Sequence, residues 1–110
     1  MKKVCLYEFE NPEIKIAMHV YFNADNQLLF DGYDMGKRVK EGLGDSDYEY
    51  QYIIAWEEAK KLASLFNCKE NDKLGILEGL KQRFYDNDAY SKFGSYMNKH
   101  HIVFEQFTWR

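Results

Sequence analysis

A chain of 110 residues with a formal charge of −3 fits one domain of ordinary size and leaves no room for a second independent core. A content of 45% hydrophobic and 17% aromatic residues excludes a disordered chain, and a domain of this length needs no disulfide or metal staple. Residues 31–58 carry three basic against eight acidic side chains, whereas 59–110 carry nine basic against six, so the acidity sits mid-chain and the basic stripe of a nucleic-acid binder is missing.

The chain opens on Met1-Lys2-Lys3 and acquires Glu8 too early for a signal peptide. No apolar run approaches the roughly 18 residues that a membrane span needs, so a cytoplasmic location without membrane contact is expected. Val4 to Phe9 is short and β-prone and stops at Glu10-Asn11-Pro12, a turn signal. From Glu13 the chain alternates, with Ile14, Ile16, Met18, Val20 and Phe22 on one face and Lys15, Ala17, His19 and Tyr21 on the other. That is a half-buried strand. Asn23-Ala24-Asp25-Asn26 closes a hairpin, since Asn and Asp tolerate left-handed dihedrals and bond their own backbone, and Gln27 to Tyr33 returns as a third strand.

Residues 34–46 are irregular, with Gly36, Gly42 and Gly44; Met35 to Glu41 is expected to form a helical turn or two stopped by Gly42. Asp47 to Ile54 reads as a fourth strand with Tyr48, Tyr50, Tyr52 and Ile54 on one face and Asp47, Glu49, Gln51 and Ile53 on the other. The spacing then turns helical. Trp56, Ala59, Leu62, Ala63 and Phe66 make one stripe ended by Asn67. Asp72 caps a second helix with Leu74, Leu77, Leu80 and Phe84 inward, and Asp88 caps a third with Tyr90, Phe93 and Met97 inward. Gly75 and Gly79 weaken the second helix by about 1 kcal/mol each, and close packing is the expected return. Ile102 to Trp109 reads as a closing strand whose Ile102, Phe104, Phe107 and Trp109 need cover. The order predicts an α+β domain over 1–110, a mostly antiparallel sheet of about five strands with about three helices on one face.

Chemistry is sparse. Cys5 and Cys68 form no CxxC and are expected to be buried thiols in a reducing compartment. His100 and His101, adjacent on a strand, would point to opposite faces and cannot share a metal, and His19 stands alone. The suggestive group is acidic and aromatic: Asp31, Asp34, Asp45, Asp47 and Glu49 with Tyr48 and Tyr50. As a calcium loop starting at Asp45 it fails, because its sixth position is Tyr50 rather than Gly and its twelfth is Trp56 rather than Glu. Carboxylates are mostly surface residues, so a solvated rim is the ordinary reading. The functional reading is a partner contact, with Tyr as anchor and the acids steering encounter. Trp56, Trp109 and the Tyr48, Tyr50 and Tyr52 row could line an apolar pocket, but the sheet–helix core is their expected place.

Phe30-Asp31-Gly32-Tyr33-Asp34-Met35-Gly36, followed by Gly44-Asp45-Ser46-Asp47-Tyr48-Glu49-Tyr50 and an ending of Ile102-Val103-Phe104-Glu105-Gln106-Phe107, resembles a family of small bacterial proteins of the immunity type that accompany toxins. The resemblance spans most of the chain on short motifs and brings no catalytic residue. Together with the small size, the absence of catalytic motifs and the acidic mid-chain segment, it leads to the expectation of a non-enzymatic binding protein that neutralises a bacterial toxin. The acidic and aromatic reading gives Asp31, Asp34, Asp45, Asp47, Tyr48 and Glu49 as contact surface and a basic toxin domain as partner, with no cofactor or metal expected. The alternatives are a small enzyme or ligand-binding domain with a tyrosine-lined pocket, and an oligomerisation module pairing through the closing strand.

Overall fold

A computed structural model describes residues 2–36 and 47–109, with Asp47 described as backbone. Five strands, β1 (Val4–Glu10), β2 (Ile14–Phe22), β3 (Leu28–Gly36), β4 (Asp47–Ile54) and β5 (Glu105–Trp109), form one antiparallel sheet in chain order. Between β4 and β5 come two short helices, α1 (Trp56–Ala59) and α2 (Lys61–Leu65), then α3 (Lys73–Arg83) and α4 (Ala89–Lys99). The expected α+β class stands, and the closing strand takes the edge position beside β4.

Local chemistry explains the turns. Asn11 Oδ1 accepts the backbone N–H groups of Glu13 and Ile14, both at 2.8 Å, which folds the Asn-Pro turn back into β2. Asn23 does the same with Asp25 and Gln27 at 2.9 Å, and Asn26 takes the left-handed conformation at φ 61°. The register of β1 against β2 slips between Cys5 and Tyr7, leaving Leu6 as an extra residue in a bulge. Asn67 ends α2 at φ 57°, as its position after Phe66 predicts. The single predicted helix over Trp56–Phe66 is divided at Lys60, where Ala63 N–H bonds Lys60 O in a three-residue step.

The inward faces of the strands meet the helices in one core: Met18, Val20, Phe22, Leu28, Phe30, Tyr52 and Ile54 from the sheet, and Leu62, Ile76, Leu80, Phe93 and Met97 from the helices. Fully buried Phe30 lies edge-on to Tyr52, Tyr90 and Phe93 with centroids 5.0–5.9 Å apart. Gly79 gives the close approach expected of it, since a Cβ there would lie 2.4 Å from the Phe66 ring.

Several expectations need correction. Leu74 is 47% exposed, and Ile76 takes the inward place on α3 together with Leu77 and Leu80. Asp72 caps α3 by accepting Gly75 N–H at 2.9 Å, but the Asp88 side chain makes no capping bond; Asp86 accepts Asp88 N–H instead and pairs with Lys92 at 2.6 Å. Met35 and Gly36 are not helical but extend β3, paired with Lys15 and Ile14; the rest of the turn expected over Met35–Glu41 lies outside the described residues. Cys5 and Cys68 are half-buried rather than buried, and burial, then Asp72, pushes the Cys68 thiol pKa up. His100 and His101 lie at the end of α4, not on a strand, with His101 at φ 57°. Phe107 and Trp109 lack the cover foreseen for them, at 40% and 48% exposed.

Gly32 is held by its cross-strand partner. Tyr50 lies opposite it and lays its ring across the position where a Cβ would stand, 2.0 Å from Tyr50 Cε2. The ring also packs on Tyr90 at 4.6 Å, so it has no easy retreat. Gly32→Ala is expected to destabilise the fold by about 1–3 kcal/mol, read as a lower midpoint in urea unfolding with unchanged slope.

Candidate functional site

All the helices cover one face of the sheet, and the side chains that alternate away from them form an open second face. Two cross-strand rows define it. One runs Ala17 on β2, Tyr33 on β3, Glu49 on β4 and Trp109 on β5, each paired with the next. The neighbouring row runs His19, Asp31, Gln51 and Phe107 on the same strands. Between the rows lies a groove of about 410 Å³, with Lys3 and His19 at one side and Glu49 and Trp109 at the other. Ala17, at the β2 end of the first row, is buried. Phe107 and Trp109 stack at 6.0 Å and stand out at the β5 edge.

Asp31 is the polar anchor of this face. Its Oδ2 accepts the Tyr21 hydroxyl at 2.7 Å and its Oδ1 accepts Gln51 Nε2 at 2.5 Å, so the carboxylate ties three strands together. Lys3 Nζ sits 4.7 Å over the Tyr21 ring. Glu49 is exposed, and among the described residues no lysine or arginine makes a salt bridge with it.

The other predicted contact residues lie elsewhere. Asp34 is on the helix side of the sheet, where its Oδ1 accepts the Tyr50 hydroxyl at 2.9 Å. Tyr48 is on that side too, half-buried against the core and 5.6 Å from the Tyr50 ring. These two, with Asn87 and Tyr90, line a second cavity of about 220 Å³. Asp47 pairs through its backbone with Met35, and Asp45 lies outside the described residues. The expectation that the acids gather on one surface is therefore corrected for those described: the sheet separates Asp31 and Glu49 from Asp34 and Tyr48. The reason is the two-residue period of a strand, in which an odd offset changes face. The Tyr52 ring fills the core rather than a pocket, with Phe93 stacked on it at 5.2 Å. Tyr33, His19, Gln51 and Phe107 are not among the residues that sequence reasoning places at a site, and Trp109 enters it only as a possible pocket residue with core as the expected place. Their signal lies in the alternation, because helices that all follow the fourth strand can cover one face and leave the other.

No group of three or more potential metal-ligating side chains occurs among the described residues, and none of their helices is long and apolar enough to cross a membrane. No family model matches the chain, and neither a curated protein nor a solved structure matches it.

Burial, then the hydrogen bond to Asp31, pushes the Tyr21 phenol up to about 12. Burial also drives Tyr50 and Tyr52 well above the ordinary phenol value, helped by Asp34 for Tyr50 and by Tyr90 for Tyr52. A phenol whose pKa is raised by folding contributes stability in full below its unfolded pKa near 10, and that contribution is lost as pH climbs through the folded value. Unfolding free energy is thus expected to be insensitive to these groups up to about pH 10 and to fall between about pH 10 and 12 and beyond. Asp31→Asn should move the Tyr21 titration downward while burial keeps it above an exposed phenol, which a phenolate absorbance titration against Tyr21→Phe will read.

Proposed function

We propose that this domain is a non-enzymatic binding protein that docks a protein partner on the open face of its sheet, and that it acts in the bacterial cytoplasm as an immunity protein against a toxin domain of basic charge. The observation that carries this reading is the pairing on one face of exposed aromatic surface, Phe107 and Trp109, with the acids Asp31 and Glu49. Large exposed aromatics beside polar groups mark protein contact surfaces, and a rim of one charge speeds encounter with a partner of the other. The resemblance of the Phe30–Gly36, Gly44–Tyr50 and Ile102–Phe107 segments to immunity-type proteins supports the choice of a toxin. The open, strand-built face suits protein better than a nucleic acid, since among the described residues Lys3 and Lys15 are outnumbered there by Glu8, Glu10, Asp31, Glu49 and Glu105.

Co-expression with the toxin-like product of an adjacent gene is expected to restore growth and yield a stable complex. In that complex Glu49→Arg with Glu105→Arg, both at exposed positions, should slow association about tenfold at low ionic strength and converge on the parent rate at high salt. An unchanged rate would remove this face from the interface.

A second reading rests on the 220 Å³ cavity between Asp34, Tyr48, Tyr50 and Tyr90, which is tyrosine-lined with a carboxylate at its wall. Its size suits a ligand smaller than the usual small-molecule pocket of about 300–1,000 Å³. Saturable shifts of the Tyr90 ring resonances by a small polar ligand, lost in Asp34→Ala, would favour it over protein docking.

A further inference from the structure

We propose that the Tyr33–Glu49–Trp109 row is a receptor for one arginine side chain, presented by the partner that docks on this face; the inference rests on the docking reading and gives that partner's contact a chemistry. Three observations carry it. Glu49 stands in register between an aromatic on β3 and an aromatic on β5, so a group laid along the row meets a carboxylate at its centre and a ring on each side. The row borders the 410 Å³ groove, and Trp109 is 48% exposed, so the rings are reachable. A first set of ring and carboxylate on this face, different in layout, is already met by a cation of the chain itself: Lys3 Nζ lies over the Tyr21 ring, whose hydroxyl bonds Asp31. The second set holds no such cation among the described residues.

Energetics decides what can cover the row. A purely apolar partner patch seated on Phe107 and Trp109 would strip water from Glu49 and leave a carboxylate without a counter-ion, a costly arrangement. An acidic partner would add repulsion. A cation satisfies Glu49 and gains from the rings at once. Arginine fits better than lysine because its planar guanidinium stacks on an indole while its N–H fork still reaches a carboxylate, whereas an ammonium holds its water more tightly. Lys3 at the far side of the groove sets the polarity of the site: it repels a second cation from the Asp31 end and leaves the Glu49 end as the favoured seat.

The two tryptophans make the test internally controlled, because Trp56 packs against Phe22 with Lys73 over it, in the sheet–helix layer away from the groove. The ¹⁵N-labelled full chain is titrated with blocked arginine amide, blocked lysine amide and blocked citrulline amide, the last a neutral isostere. Arginine is expected to shift the Trp109 indole N–H saturably, leave Trp56 still, bind more tightly than lysine, and be unmatched by citrulline. Glu49→Gln, isosteric and at an exposed position, should weaken arginine binding up to about fivefold, the span of an exposed ion pair. Equal shifts from citrulline, equal movement of both indoles, or no movement of Trp109 would overturn the proposal. If the toxin-like partner still binds with charge-sensitive kinetics while arginine leaves Trp109 unmoved, the arginine seat is wrong and the docking reading survives. Saturable arginine binding at Trp109 with no complex formed by the toxin-like partner would instead support the seat and remove that partner.

Discussion

Phe30 lies at the middle of the sheet with no exposed surface, and the rings of Tyr52, Tyr90 and Phe93 close on its edges from β4 and α4. Those contacts join the strand layer to the last helix, and Phe84 extends them to the end of α3 through Phe93. Burial of several aromatics against one another supplies both apolar area and the orientational preference of edge-on rings, so the helices have one favoured seat. With every helix committed to that side, alternation along the strands obliges the remaining side chains to face outward together. The open face is thus a product of how the core is made.

Much of this was legible in the sequence. The alternation of Ile14 to Phe22 and of Asp47 to Ile54 placed two strands within a residue or so of their observed ends, because period-two patterns tolerate no other regular backbone. Asn11, Asn23 and Asp72 stood where short polar side chains bond the backbone, and they do so. Elsewhere local signals were outweighed. Leu74 and Ile76 compete for the same helical stripe two residues apart, and the direction from which the sheet approaches α3 decides in favour of Ile76. The Asp88 side chain makes no capping bond, and its N–H is instead held by Asp86, whose carboxylate also takes Lys92.

The candidate site was half visible for a related reason. Asp31 and Glu49 were picked out by charge, and charge along the chain says nothing about face; Asp34 fell in with them although its offset from Asp31 is odd. Tyr50 belongs to the core side, where it roofs Gly32 and donates to Asp34, a structural engagement that proximity in sequence conceals. Phe107 and Trp109 pointed to burial because aromatic residues commonly find it. Which aromatics remain outside depends on the count of covering elements, a tertiary quantity.

β5 lends its five residues to the edge of the sheet while burying none of them. Its register with β4 is fixed by backbone bonds, which are indifferent to side-chain identity. Substitutions at Phe107 or Trp109 therefore change what the molecule presents without opening a void in its interior. Such a strand is a place where sequence can change at small thermodynamic expense, while Phe30 and its neighbours stay fixed.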